Sequence, residues 1–234
     1  MTGRLGLVCA ATRDGINWAV IPTYNATPQI QLQSSALKVL TPQHVIEGFS
    51  VVRDYEPQID ITWEEAVECL NAETRWLDRA AASRDAEEFD QLLYTAAEEE
   101  AGDDFDYLFR GMDVGVAGLV FVLAAAGYAT CYSCRGHSGI MTDRVPQVRL
   151  ATEPERLELL AGYAERAECG LEMDGDGLVT AYAPTVLSLH GLARLIADDR
   201  AVFESMENPP WLARALEAQD QEDAVEWEDD DDGS

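Results

Sequence analysis

The 234-residue sequence has one lysine, Lys38, and three histidines, His44, His137 and His190. Lysine and arginine together number 16 against 44 acids, a net charge of −28 at neutral pH. So acidic a chain has no whole-molecule attraction for DNA, RNA or an anionic membrane at ordinary salt, which argues against broad nucleic-acid binding. The preference for arginine over lysine fits a GC-rich genome, and a high-salt cytoplasm would add a reason for the acid excess. Cysteine is also sparse. Cys9, Cys69, Cys131, Cys134 and Cys169 form an odd set, not a disulfide framework, which points to a reducing, cytoplasmic compartment. Long apolar runs are missing too. The longest, Val114 to Ala129, contains three glycines and falls short of the ~20 residues that cross a bilayer, so it reads as a buried helix. The apolar stretch Leu5–Ala11 is at the short limit for a signal segment, and Arg13 and Asp14 follow at once. A membrane partner is not expected.

What is present suffices for a packed core. Hydrophobic residues make up 47% and aromatics 8%, in a length suited to one large domain or two small ones. Most of the acid excess comes from two blocks free of any base. One runs from Asp85 to Asp106, and the other covers the tail from Glu217 to Ser234. Each reads as a solvated segment or, alternatively, as a docking surface for a basic protein partner. An inhibitor or immunity protein would use such blocks. From Tyr107 to Thr152 the balance reverses, with Arg110, Arg135, Arg144 and Arg149 against Asp113 and Asp143.

The pattern along the chain predicts an α+β protein. Residues 1–60 read as a β-rich N-terminal region, with strands over Arg4–Ala11, Ile16–Tyr24, Pro28–Gln33, Leu37–Leu40 and Gly48–Arg53. Residues 61–106 read as a helical acidic linker. Its first helix is capped by Thr62 and carries an apolar stripe at Trp63, Val67, Leu70 and Trp76/Leu77; a second runs over Ala86–Glu100. Residues 107–207 read as an αββαββα domain with a four-stranded sheet covered by helices on one face. Asp113 caps its buried helix, strands Tyr128–Tyr132 and Pro146–Ala151 follow, and a capping box of Thr152 and Glu155 opens the next helix. The tip Asp174-Gly175-Asp176-Gly177 is a plain hairpin turn, because no glutamate follows at calcium-loop spacing. Residues 208–234 read as a short helix and a disordered acidic tail holding Trp227.

The densest chemistry lies at Cys131-Tyr132-Ser133-Cys134-Arg135-Gly136-His137. Three readings compete for it. Cys131, Cys134 and His137 have half of a zinc pattern, with Cys169 or His190 as a fourth ligand, although strand alternation would send Cys131 and Cys134 to opposite faces. Alternatively the segment is a ligand or catalytic loop. Ser133, Arg135 and Gly136, with Arg144 and Arg149, would then hold an anion; His137 would serve as general acid or base and Cys134 as nucleophile. Lastly, both cysteines are small core residues and His137 a turn residue. His190, on a helix face with Val186 and Leu187, reads as a satisfied half-buried histidine.

An apolar helix, a strand, this Ser-Cys-x-Gly-His loop, a strand and a Leu-Leu helix together resemble the wybutosine-synthesis methyltransferases. Those carry a Ser-Cys-Ser-Gly-Arg loop, matched here by Ser133, Cys134 and Gly136, with His137 in the place of the arginine. The resemblance covers roughly residues 110–200. It implies S-adenosylmethionine as cofactor, an RNA element as ligand and a transferase-like activity. The residues alone imply only a small anionic, nucleotide-like ligand.

Overall fold

The computed structural model describes residues 20–33, 36–46, 58–99, 108–136 and 145–219. The architecture is α+β. Along the chain come β1 (Ile30–Gln31), α1 (Pro42–Ile46), α2 (Trp63–Ala80), α3 (Ala86–Glu99), α4 (Ala117–Ala125), β2 (Ala129–Cys134) and β3 (Gln147–Ala151). They are followed by α5 (Pro154–Arg166), β4 (Gly170–Met173), β5 (Val179–Tyr182), α6 (Val186–Asp198) and α7 (Arg200–Glu204). A further helix covers 212–219. Among the described residues, no helix is long and apolar enough to cross a membrane.

The expected doubled unit is present. α4–β2–β3 and α5–β4–β5 each contribute an antiparallel hairpin, and the hairpins join where β3 pairs with β5. The sheet has five strands rather than four, in the order β1-β4-β5-β3-β2, because β1 adds to the edge in parallel with β4. Val148, Leu150, Leu171, Val179 and Ala181 share the face packed under the helices, against Leu119, Leu123, Leu160, Leu189 and Leu192. The opposite face is not bare. Ala129, Cys131 and Ala151 pack there with Val45, Ile59, Trp211 and Ala215 in a second, smaller cluster.

The described part of the N-terminal region has less strand than expected. Of the strand expected over Pro28–Gln33, only two exposed residues pair. Val20 and Ile21 are buried in the core outside any strand, and the Tyr24 amide donates to the Pro184 carbonyl. Pro22, with no amide hydrogen, interrupts any ladder there. Residues 37–40 likewise form no strand; the Lys38 amide donates to the Gly177 carbonyl. The strands expected at Arg4–Ala11 and Gly48–Arg53 and the first four residues of Ile16–Tyr24 lie outside the described residues, as do residues 100–106 and 220–234 of the acid blocks.

The segment assigned to a linker supplies a wall of the core, since α2 packs into the same cluster as α4 and α6. Its buried residues are Trp63, Ala66, Cys69, Leu70, Ala72, Glu73, Trp76, Leu77 and Ala80, while Val67, expected in the stripe, is exposed. Thr62 opens the helix with a full capping box. Its hydroxyl accepts from the Glu65 amide at 3.2 Å, and the Glu65 carboxylate accepts from the Thr62 amide at 2.7 Å. Hydrogen bonds from Thr62, aided by the Arg110 guanidinium, hold the Glu65 carboxyl below its ordinary value. This stabilisation is therefore complete above the ordinary glutamate range and disappears as pH falls through the lowered value. Thr62→Ala should cost about 1 kcal/mol near neutral pH. The difference from wild type should shrink in acid, as read by urea denaturation at several pH values.

α4 is apolar along its whole length and brings no charge to either of its own ends. Other helices supply them. Glu73 of α2, fully buried, accepts the amides of Gly115 and Gly118 at 2.8 and 3.2 Å on one carboxylate oxygen. Arg156 of α5 donates Nε to the Ala126 carbonyl at 3.0 Å and Nη2 to the Glu207 carbonyl at 2.9 Å. An acid at the N-terminus and a base at the C-terminus both oppose the helix dipole. The Asp113 side chain does not cap α4 as expected; its backbone carbonyl accepts from Val116 and Ala117 instead. Nor does the Thr152–Glu155 box form. α5 begins at Pro154 after Glu153, whose carboxylate accepts from the Trp211 indole at 2.7 Å. Thr185 does cap α6, accepting from the Ser188 amide.

Candidate functional site

β2 carries the chemistry-bearing segment to the edge of the sheet, beside the turn that leads into α4. Ser133 donates its hydroxyl to Met112 Sδ at 3.5 Å, and the Arg135 amide donates to Asp113 Oδ2 at 3.4 Å. Cys134 is buried, and its Sγ accepts from the Gly136 amide at 3.4 Å. Gly136 lies at φ 88°, a left-handed backbone open to glycine at no steric cost. It lets the chain leave the strand sharply. The Arg135 side chain is half-buried, and its Nε, shielded from solvent, has no hydrogen-bond partner among the described residues. His137 and Arg144 lie outside the described residues.

The other sequence-derived contacts do not gather here. Arg149 forms an ion pair with Asp174, whose second oxygen accepts from the Asp176 and Leu178 amides in the β4–β5 turn. It fastens a hairpin tip rather than standing free for a ligand. The turn is the plain one expected, with Gly177 at φ 79°.

Of the zinc set, His137 lies outside the described residues, and Cys169 sits in the main core rather than beside Cys131. A β-bulge at Cys131 breaks the alternation assumed from sequence: Thr130 opposes Leu150, but Tyr132 opposes Arg149. Cys131 thus packs with Ala129 and Ala151, and Cys134, opposite Gln147, returns to that same face. Sharing a face does not make them ligands. Cys131 Sγ donates to the Arg149 carbonyl, and burial pushes its thiol up to about 12, so it is a protonated apolar group at neutral pH. Cys169 sits in the main core with its Sγ against the Ser188 carbonyl, and burial raises it to about 12 as well. Among the described residues, no three of His, Cys, Asp and Glu stand where they could hold a metal ion.

A second polar cluster lies behind the loop, and Glu73 is the member that sequence reasoning missed. Its free carboxylate oxygen meets His190 Nδ1 at 2.8 Å, and His190 Nε2 meets the Thr74 hydroxyl at 3.0 Å. A carboxylate already accepting two amides places the Nδ1 hydrogen between itself and the ring. Thr74 also bonds to the Leu70 carbonyl at 2.8 Å, and Arg194 reaches it at 3.5 Å. His190 is half-buried and satisfied, as its helix position suggests. One signal for Glu73 does exist in the sequence. It is an acid on the buried stripe, three residues after Leu70 and four before Leu77. Gly118 makes the space for it, since a Cβ there would stand 2.5 Å from Glu73 Oε2.

The loop therefore offers one buried cationic donor and a sharp glycine exit, backed by a turn fixed from α2 and α6. Among the known protein families, the curated proteins and the solved structures, none matches this chain.

Proposed function

We propose that the chain binds a small anion, the phosphate or carboxylate of a nucleotide-like ligand, at the Ser133–Gly136 loop, with Arg135 as the principal contact. The observation that carries this reading is the Arg135 Nε, shielded from solvent and without a partner among the described residues. A buried donor left unmade costs roughly 1–3 kcal/mol, which a ligand oxygen would recover. Guanidinium presents Nε and an Nη in a fork matched to two oxygens of a phosphate or carboxylate. The local charge agrees, because four arginines and two acids lie between Tyr107 and Thr152. Cys134 then acts through its hydrogen bond to Gly136, fixing the loop, while His137, the next residue in the sequence, is the group able to move a proton if the ligand is modified.

Calorimetric titration tests the reading with inorganic phosphate, a nucleoside monophosphate and S-adenosylmethionine as probes. The last belongs in the set because the resemblance to wybutosine-synthesis methyltransferases implies it. Wild type should bind at least one probe saturably, and Arg135→Ala should weaken that binding tenfold or more. Asp113→Asn, which removes a negative charge beside Arg135 and keeps an acceptor for its amide, should bind the same probe several-fold more tightly. Equal affinity in wild type and Arg135→Ala would remove the loop from consideration.

A further inference from the structure

Segment 112–118 is gripped from two sides. Toward the loop, Met112 Sδ receives the Ser133 hydroxyl and Asp113 receives the Arg135 amide. A Cβ built on Gly115 would lie 3.8 Å from Arg135 Cβ. Toward the helices, Glu73 holds the amides of Gly115 and Gly118, and the Cγ1 of Val186 would come within 3.0 Å of the same Gly115 Cβ. Gly115 itself sits at φ 109°, a backbone conformation open to glycine and strained for any residue with a Cβ. Glu73 is in turn oriented by His190, one turn along α6 from Val186.

We infer that Glu73 and His190 are positioning residues for the anion loop. Glu73 fixes the 112–118 turn, His190 fixes the Glu73 carboxylate, and the turn sets where Arg135 stands. An apolar residue at 73 could complete the α2–α4 interface without burying a carboxylate, whereas a fully bonded polar network specifies one position of the turn. The functional meaning of this inference rests on the proposed reading of the loop. The geometric part does not.

Amide spectra of ¹⁵N-labelled full-length protein test both parts. Glu73→Gln and His190→Ala should move the Arg135 and Gly136 cross-peaks and leave those of β4 and β5 in place. Both should weaken phosphate binding tenfold or more in protein that remains folded. His190→Asn, whose side-chain amide can donate where Nδ1 does, should restore the cross-peaks and bring affinity to within threefold of wild type. Should Glu73→Gln fail to fold, the two His190 variants carry the test alone. Unmoved Arg135 and Gly136 cross-peaks in folded His190→Ala, with unchanged phosphate affinity, would overturn the inference and leave the pair a stabilising role only. Moved cross-peaks in a protein whose wild type binds none of phosphate, a nucleoside monophosphate and S-adenosylmethionine would uphold the positioning and overturn the ligand reading.

Discussion

Glu73→Ala should lower the unfolding free energy by about 3–5 kcal/mol, because two buried amides and the His190 ring lose their acceptor at roughly 1–3 kcal/mol each. The substitution leaves the Gly115 and Gly118 amides without their acceptor in a site that water does not reach, and His190 Nδ1 without its carboxylate. It also removes the negative charge at the N-terminus of α4. Glu73→Gln keeps an oxygen for the two amides and should cost less. Urea denaturation checks both. A loss below about 1 kcal/mol for Glu73→Ala would mean that another group or a water takes over the two amides, since an unmade buried bond costs more than that.

The other end of the same helix gives the second large effect. Arg156→Ala should cost about 3 kcal/mol, because two carbonyls, those of Ala126 and Glu207, lose their donors at a buried site. The guanidinium also fills the space beside Gly127, where a Cβ would meet its Nε at 2.9 Å. Arg156→Lys keeps the charge but cannot reach both carbonyls with a planar fork, so it should recover only part of the loss. For a chain of this size each kcal/mol lowers the melting temperature by roughly 2–4 °C, so the alanine variant should melt several degrees earlier. The two sites flank a nine-residue helix and share no partner. A helix of that length spans about 13 Å, so the losses should add to within about 0.5 kcal/mol. Strong non-additivity would show that the two ends are coupled through the helix.

Local signals carried much of the fold. Thr62 and Thr185 cap helices as their side chains allow, Gly127 ends α4, and the turn at Asp174 closes a hairpin. Each of these is decided within four residues, so the sequence alone contains the answer. The strands expected over residues 20–24 and 37–40 were not legible in that way. An apolar, β-branched run states a preference, but a strand also needs a partner at its edge, and Val20 and Ile21 reach the core without one. Proline at 154 and the Trp211 indole, 58 residues away from Glu153, decided the start of α5 against the Thr152 box.

The site divides along the same line. The cluster from Ser133 to Gly136 stood out in the sequence, and the positive φ of Gly136 is what a glycine at a strand end suggests. The Cys131 bulge was not visible, because an extra residue in a ladder is defined by the opposing strand. Arg149 looked like a ligand contact until Asp174, 25 residues on, proved to be its partner. The Glu73–His190 contact spans 117 residues and could be inferred only as an anomaly, an acid in an apolar stripe.

The central claim is that Arg135 holds an anion at the end of β2. The most direct test follows the backbone amides of residues 133–136 and the Arg135 Nε–H during titration with inorganic phosphate. The expected result is a saturable shift of these signals, largest at Arg135 and Gly136, that vanishes in Arg135→Ala. A titration in which they do not move, or move alike in wild type and Arg135→Ala, would contradict it.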